Sequence, residues 1–187
     1  RREALERQSM LKGGIASLRE KVEMKPKQAL RERLGKLFRG WLEEFLSYPE
    51  ELEAALEAVL YDVLGFAAAR KMPDLEKILL EGQAGMVLDR ALDPVDFKRP
   101  DDPRFKLWLR DKVEVKEGAP GLLQARLSGW VLVDKADLVS AAEDHPQLSF
   151  VTLEGSSVRR DGVSLVGRPR GVLADRRTLR KMDREAQ

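Results

Sequence analysis

The segment Phe150-Val-Thr-Leu-Glu-Gly155-Ser-Ser-Val-Arg-Arg-Asp-Gly162-Val-Ser-Leu-Val-Gly167 constrains the fold more than any other part of the chain. It reads as two short strands with a turn between them. A glycine stands at each place where the backbone must bend or be approached closely. Gly155, Gly162 and Gly167 admit two readings. They are turn punctuation, with positive φ demanded at a hairpin, or they let two subunits pack where a side chain would hold their sheets apart. An exposed terminal strand is itself a template for pairing with another chain.

The 187 residues leave room for one domain with appendages or for two small lobes. A hydrophobic content of 43% is enough for a core, and the 35% of charged residues exceeds the usual ~25%, which points to long solvated helices beside it. The absence of cysteine excludes disulfides, thiolate zinc sites and a cysteine nucleophile. No run approaches the ~18 apolar residues of a membrane span. Arg1-Arg-Glu-Ala-Leu-Glu has no apolar signal core behind it. A soluble cytoplasmic protein is therefore expected, without membrane contact. The chain opens without Met and inside a helical pattern, as an excised part of something longer would. Net charge is only +2, but residues 1–40 carry 12 Lys/Arg against 5 Asp/Glu, and residues 168–187 carry 7 against 3. Both ends are basic and the body is acidic.

Residues 1–24 are helical in pattern. Ala4, Leu11 and Leu18 fall seven apart, and Ile15 and Val22 complete a coiled-coil seam. Gly13-Gly14 weakens it by roughly 1 kcal/mol per glycine, and Pro26 marks a break. At the other end Val172, Leu179 and Ala186 repeat the seven-residue spacing, with Met182 between the last two. Ordinary amphipathic terminal helices fit both stripes as well as coiled-coil arms do. Between them lies a mixed body. Residues 28–46 read as helix interrupted at Gly35 and Gly40. Pro49 opens a second helix running to Leu60, with Leu52, Ala55, Leu56, Val59 and Leu60 as its buried face. Val63–Ala69 reads as a buried strand, Pro73–Leu80 as a helix, Ala84–Leu88 as a strand and 89–104 as a loop. Phe105–Leu109 reads as a helical turn, Lys112–Lys116 as an exposed strand, and Leu122–Leu127 as a helix. Trp130–Val133 reads as a buried strand and Lys135–Glu143 as a helix. The order suggests two α/β lobes of similar plan joined near residues 91–118.

Several of these segments, taken in order, resemble the hinge domain of SMC proteins, the long coiled-coil ATPases that organise chromosomes. Pro49-Glu-Glu-Leu-Glu-Ala-Ala-Leu-Glu-Ala-Val-Leu-Tyr-Asp-Val-Leu64 resembles the hinge helix Pro-x-x-Tyr-x-x-Ala-(Leu/Ile)-Glu-x-x-Leu-Gly. Phe66-Ala-Ala-Ala69 stands where that family has a valine strand. Leu127-Ser-Gly-Trp-Val-Leu-Val-Asp-Lys-Ala-Asp-Leu138 resembles the second-lobe strand and helix with its Asp-x-Ala. Thr152-Leu-Glu-Gly155 and the hairpin after it complete the order. Leu60-Tyr61 replaces the family's Leu-Gly, and Val166-Gly167 keeps one glycine of its closing pair. The resemblance covers residues 34–171.

The resemblance implies an α/β (α+β) fold: a two-lobed hinge with flanking antiparallel coiled-coil arms. The expected divisions are an arm at 1–27, a first lobe at 28–110, a second lobe at 111–171 and an arm at 172–187. It implies a bacterial, nucleoid-associated homodimer. In it the second lobe of one subunit meets the first lobe of its partner, twice, with Gly155, Gly162, Val163, Leu165 and Gly167 at the interface. Kleisin and ATP would engage only other parts of a full-length protein. Convergence of the two arms would gather Lys25, Lys27, Arg168, Arg170, Arg176, Arg177, Arg180 and Lys181 into a neck patch. Such a patch binds DNA weakly through phosphates, without base readout. A solvated coiled-coil face fits the same charges.

No catalytic constellation accompanies this. There is no Gly-x-x-x-x-Gly-Lys-Ser/Thr, and no cofactor is implied. His145, the single histidine, reads as a surface residue. Glu50, Glu51, Glu53 and Glu57 read as a solvated helix face. Asp93, Asp96, Asp101 and Asp102 lack the spacing of a Ca²⁺ loop. Trp41, Phe38 and Tyr48 could stack on single-stranded bases but suit a core better. A stand-alone α/β nucleic-acid-binding protein with helical arms is the alternative to a dimerisation hinge.

Overall fold

The computed structural model describes residues 25–71, 73, 85–88, 92, 95, 97–167 and 171–185, the side chains of Lys25, Pro26, Val172, Arg180 and Glu185 aside. The N-terminal stripe, the helix expected after Pro73 and the exit at Arg168 and Arg170 lie outside these residues.

The described chain is a mixed α+β structure built on two main sheets. Helix α1 (Lys25–Leu34) leads through a 3-10 turn into β1 (Phe38–Trp41). A second 3-10 turn (Leu42–Phe45) and β2 (Leu46–Ser47) follow. Helix α2 (Glu53–Val59) then precedes β3 (Ala67–Ala69) and β4 (Met86–Leu88). The second half contains β5 (Leu107–Trp108), α3 (Leu109–Lys112), β6 (Glu114–Val115), α4 (Gly121–Leu127), β7 (Trp130–Leu132), α5 (Leu138–Asp144), β8 (Ser149–Val151), β9 (Ser157–Val158) and β10 (Ser164–Leu165). Helix α6 (Val172–Glu185) ends the described chain. The sheet orders are β1-β3-β4, β10-β9-β8-β7-β5 and a small β2-β6 pair.

Strand alternation explains the layering, because successive side chains point to opposite faces. In β7, Trp130 and Leu132 enter the largest core cluster, whereas Val131 enters a second cluster with Leu138 and Ala141 of α5. In β8, Val151 and Phe150 divide the same way. In β3, Ala68 faces the largest cluster, while Ala67 and Ala69 face Leu30 and Leu34 of α1. Each sheet is thus covered on both faces, and the two share one central core that contains α2 and α4. That core joins Leu42, Leu56 and Val59 to Leu123, Leu127 and Trp130. Double coverage is usual for parallel pairs, and β7–β8 and β3–β4 are both parallel. The strands therefore read as unbroken apolar runs.

Three expectations need correction. Residues 28–46 are not one helix. Gly35, at a left-handed φ of 49°, follows the end of α1, and Phe38–Trp41 pairs antiparallel with β3 across a bulge. Phe105–Leu109 is not a helical turn, since Leu107 and Trp108 pair with Leu132 and Val131 before α3 begins. Sheet pairing overrides local preference in so short a segment. The strand expected from Val63 begins only at Ala67, because 61–65 form a turn closed by Val63 and Leu64 N–H donating to Leu60 O.

Candidate functional site

The glycine segment forms the exposed end of the five-stranded sheet from two turns of one design. Gly155 N–H donates to Thr152 O (3.0 Å), and Thr152 N–H donates to Ser156 O (2.9 Å). Gly162 N–H donates to Arg159 O (2.9 Å), and Arg159 N–H donates to Val163 O (2.8 Å). Both glycines sit in the left-handed region, at φ 89° and 85°. This is the three-residue hairpin loop whose last position needs glycine. The turn reading of Gly155 and Gly162 is therefore built into the backbone. Gly155 is buried, whereas Gly162 and Gly167 are exposed. A Cβ at either exposed glycine would meet nothing within 4 Å.

Strand β10 pairs with β9 (Ser164 with Val158, Leu165 with Ser157) and is the outermost strand of its sheet. Leu165 is half-buried. Val163 and Val166 flank the strand at 41% and 93% exposure, so two branched apolar side chains stand in water beside a sheet edge. Leu153, in the turn before β9, is exposed at the same end of the sheet.

The expected neck patch has a different environment. Glu43, in the 3-10 turn after β1, is only 2% exposed. Its Oε2 accepts the Gly65 N–H at 3.1 Å. Its Oε1 lies 2.9 Å from Arg176 Nε on α6 and 3.8 Å from Lys27 Nζ on α1. The Arg176 contact is an ion pair without an aligned N–H, since both atoms lack a hydrogen-bond partner. Arg176 Nη1 also reaches Glu44 Oε1 at 3.2 Å. Arg177 Nη1 lies 2.9 Å from both Glu50 and Glu53. Lys27 stands 5.3 Å from the centre of the Trp41 ring. Burial lowers its pKa against the opposing pull of Glu43. Lys27, Arg176 and Arg177 are thus held by carboxylates of the first lobe. Lys181 is exposed on α6, and the side chains of Lys25 and Arg180 lie outside the description.

The expectation of a solvated glutamate face on α2 is wrong for two of its residues. Glu53 is 8% exposed and Glu57 3%. The Glu57 carboxylate accepts the backbone N–H groups of Gly171 (2.7 Å) and Leu173 (2.5 Å) at the start of α6. Those N–H groups have no partner within the helix, and a carboxylate also suits the positive end of its dipole. Burial raises the pKa of Glu53 despite the adjacent Arg177. Between α6 and the first lobe lies a cleft of about 400 Å³ lined by Glu43, Tyr48, Glu53, Lys116, Arg176 and Arg177 among others. Sequence reasoning missed Glu43, Glu53 and Glu57 as the seat of the C-terminal helix.

His145 is half-buried and partnered, not a free surface side chain. Its Nε2 lies 2.9 Å from Asp102 Oδ2, and its ring packs edge-on to Phe105 with centroids 5.1 Å apart. Asp102 also accepts from the Arg104 side chain and backbone. Those bonds hold its carboxyl well below the usual range. Ser140 Oγ meets Arg104 at 3.2 Å, so this cluster is a brace under α5. Trp41 is buried against Phe38 with centroids 5.2 Å apart, which places both in the core. Among the described residues no group of three potential ligands could hold a metal ion, and no helix is long and apolar enough to cross a membrane.

The architecture is that of the SMC hinge. The chain superposes over 100% of its length on 84% of the Geobacillus stearothermophilus SMC hinge domain, an asymmetric dimer (TM-score 0.67, 17% identity). It covers 89% of the Pyrococcus furiosus SMC hinge over 84% of its own length (TM-score 0.58, 18% identity). It covers 76% of a P. furiosus hinge with an extended coiled coil over 98% of its own length (TM-score 0.60, 19% identity). No protein-family model and no curated protein sequence matches the chain.

Proposed function

We propose that this chain is a non-enzymatic dimerisation hinge that joins two coiled-coil arms of a chromosome-organising, nucleoid-associated SMC-type protein. The observation that carries the reading is the open edge of β10, with Val163 and Val166 exposed on a sheet whose architecture is that of a hinge. An unpaired edge with exposed apolar neighbours is a template on which another chain can pair and bury them. In the proposed dimer Gly162, Val163, Leu165 and Gly167 of one subunit face the partner's first lobe, twice, by two-fold symmetry, while the buried Gly155 shapes the turn behind them. Kleisin and ATP-binding heads belong to other parts of such a protein. A photo-crosslinking side chain in place of Val166, with isotopically light and heavy chains mixed, tests this directly. Crosslinks between light and heavy chains that map to residues 38–88 support it, and crosslinks confined within one chain overturn it.

Weak, sequence-independent DNA binding at the neck is the finer part of the reading. Exposed Lys181 and Arg184 on α6 support it. The ion pairs of Arg176 and Arg177 reduce what those two can contribute. Lys181→Glu with Arg184→Glu should then weaken binding of a short duplex at low salt more than Arg177→Gln does. Equal loss from both changes would refute that ranking. The alternative of a stand-alone nucleic-acid-binding protein predicts a monomer.

A further inference from the structure

The turn between β9 and β10 carries two arginines that neither the sheet edge nor the neck uses. Arg159 and Arg160 line a cavity of about 240 Å³ together with Arg126 of α4, Ser128, Ser149 and Asp161. Its floor includes Val59 and Trp130. Two of the three guanidinium groups have one carboxylate each: Arg126 with Asp62 at 2.9 Å, and Arg159 with Asp161 at 2.7 Å. Arg160 has none among the described residues. It is exposed, but its guanidinium carbon stands 5.2 Å from the Phe97 ring centre, and its backbone N–H donates to Ser149 Oγ at 3.1 Å.

That hydrogen bond uses Ser149 as an acceptor. The Ser149 hydroxyl proton, on a buried residue, has no acceptor among the described residues. The cavity therefore offers a pre-positioned guanidinium without a counter-charge, two more beside it and an unsatisfied buried O–H. The guanidinium groups and the hydroxyl are donors, and the Asp161 carboxylate on the same lining is held by Arg159. Guanidinium forks match phosphoryl oxygens bidentately, as they do carboxylates, and a phosphoryl group offers enough oxygens to meet more than one fork at once. The volume is below the roughly 300–1,000 Å³ of pockets that enclose drug-sized ligands. It suits one phosphate or pyrophosphate, or one phosphate of a larger ligand.

We propose that this cavity is a phosphoryl-anion site in the second lobe, separate from the neck. Its position gives it a further role. Arg159 and Gly162 close the turn that leads directly into β10, so an anion bridging Arg160 and Arg126 ties that turn to α4. Occupancy then stiffens the strand proposed to meet the partner. The site itself does not depend on dimerisation, and the two can fail separately.

Titration of the full chain with pyrophosphate at low ionic strength, followed by calorimetry and by amide chemical shifts, tests the site. Saturable one-to-one binding, with shifts at residues 126, 149 and 159–163, is expected. Arg160→Gln and Arg126→Gln should each weaken it about tenfold, the loss of one charge-assisted contact. Arg177→Gln should leave it unchanged. Displacement of pyrophosphate by a single-stranded oligonucleotide identifies the natural source as a nucleic-acid backbone. Failure of the oligonucleotide to displace it identifies a small phosphorylated ligand. Absence of saturable binding, or equal affinity in Arg160→Gln, overturns the proposal whatever the solution mass.

Discussion

Glu57 caps Leu173 from 116 positions away: its carboxylate accepts that residue's N–H at 2.5 Å and the Gly171 N–H at 2.7 Å. One side chain of α2 thereby fixes where the C-terminal helix starts and which way it leaves the domain. Glu57→Gln keeps the shape but turns one oxygen into a donor facing an N–H. A buried group left unsatisfied costs about 1–3 kcal/mol. Denaturant unfolding of the Gln variant should show a loss of that size, with α6 becoming accessible to protease. An unchanged midpoint would mean that α6 is held by other contacts.

Glu43 lies between α1 and α6, within 3.8 Å of Lys27 and 2.9 Å of Arg176. Removing one partner of a buried pair leaves the others uncompensated, at roughly 3–5 kcal/mol. Glu43→Gln should therefore destabilise the fold and loosen both helices together. The chain has no cysteine, so spin labels on introduced cysteines at Glu32 and Thr178 can report the distance between α1 and α6. A broader distance distribution in Glu43→Gln than in the parent is expected. An identical distribution would contradict the shared role of Glu43.

Glu53 behaves oppositely. Its folded pKa is raised by burial, so the ionised form costs stability above that value, and the cost disappears as pH falls below the ordinary carboxylate range near ~4.3. Glu53→Gln should accordingly be neutral or stabilising at pH 7, with the difference from the parent fading by about pH 4. Arg177 keeps Glu50 at 2.9 Å. Thermal melts across that range read the sign directly, and a large destabilisation at pH 7 would contradict it.

Asp102 supplies the complementary case. Arg104 and His145 hold its carboxyl below the ordinary value, so its contribution is complete above about pH 4 and is lost as pH falls towards the lowered value. The parent should lose stability on acidification more steeply than Asp102→Asn below pH 4. Parallel curves for the two proteins would show that Asp102 does not brace α5.

Legibility in the sequence followed the range of the interactions. The turns at Gly155 and Gly162 were readable because their demand for positive φ is local. Trp130–Leu132 was readable as a buried strand because both its faces are covered, which leaves an unbroken apolar run. Phe38–Trp41 was misread because its helical neighbours set the local pattern, while its pairing with Ala67–Ala69 is distant in sequence. Leu107–Trp108 is too short to carry a period. The glutamates were the largest omission. On α2 their spacing is the same whether they face water or the start of a helix, and nothing near Glu57 announces Gly171. The basic ends were legible as charge, but the acidic seat that holds Arg176 and Arg177 was not.

The central claim is that the β10 edge closes a dimer. Sedimentation equilibrium of the whole chain at micromolar concentration, beside the Val163→Glu/Val166→Glu variant, tests it most directly. Both changes are on exposed side chains, so the variant should fold with an unchanged circular dichroism spectrum. The account predicts twice the mass of one chain for the parent and a single chain for the variant. A parent that sediments as a monomer, or a variant that remains fully dimeric, would contradict it.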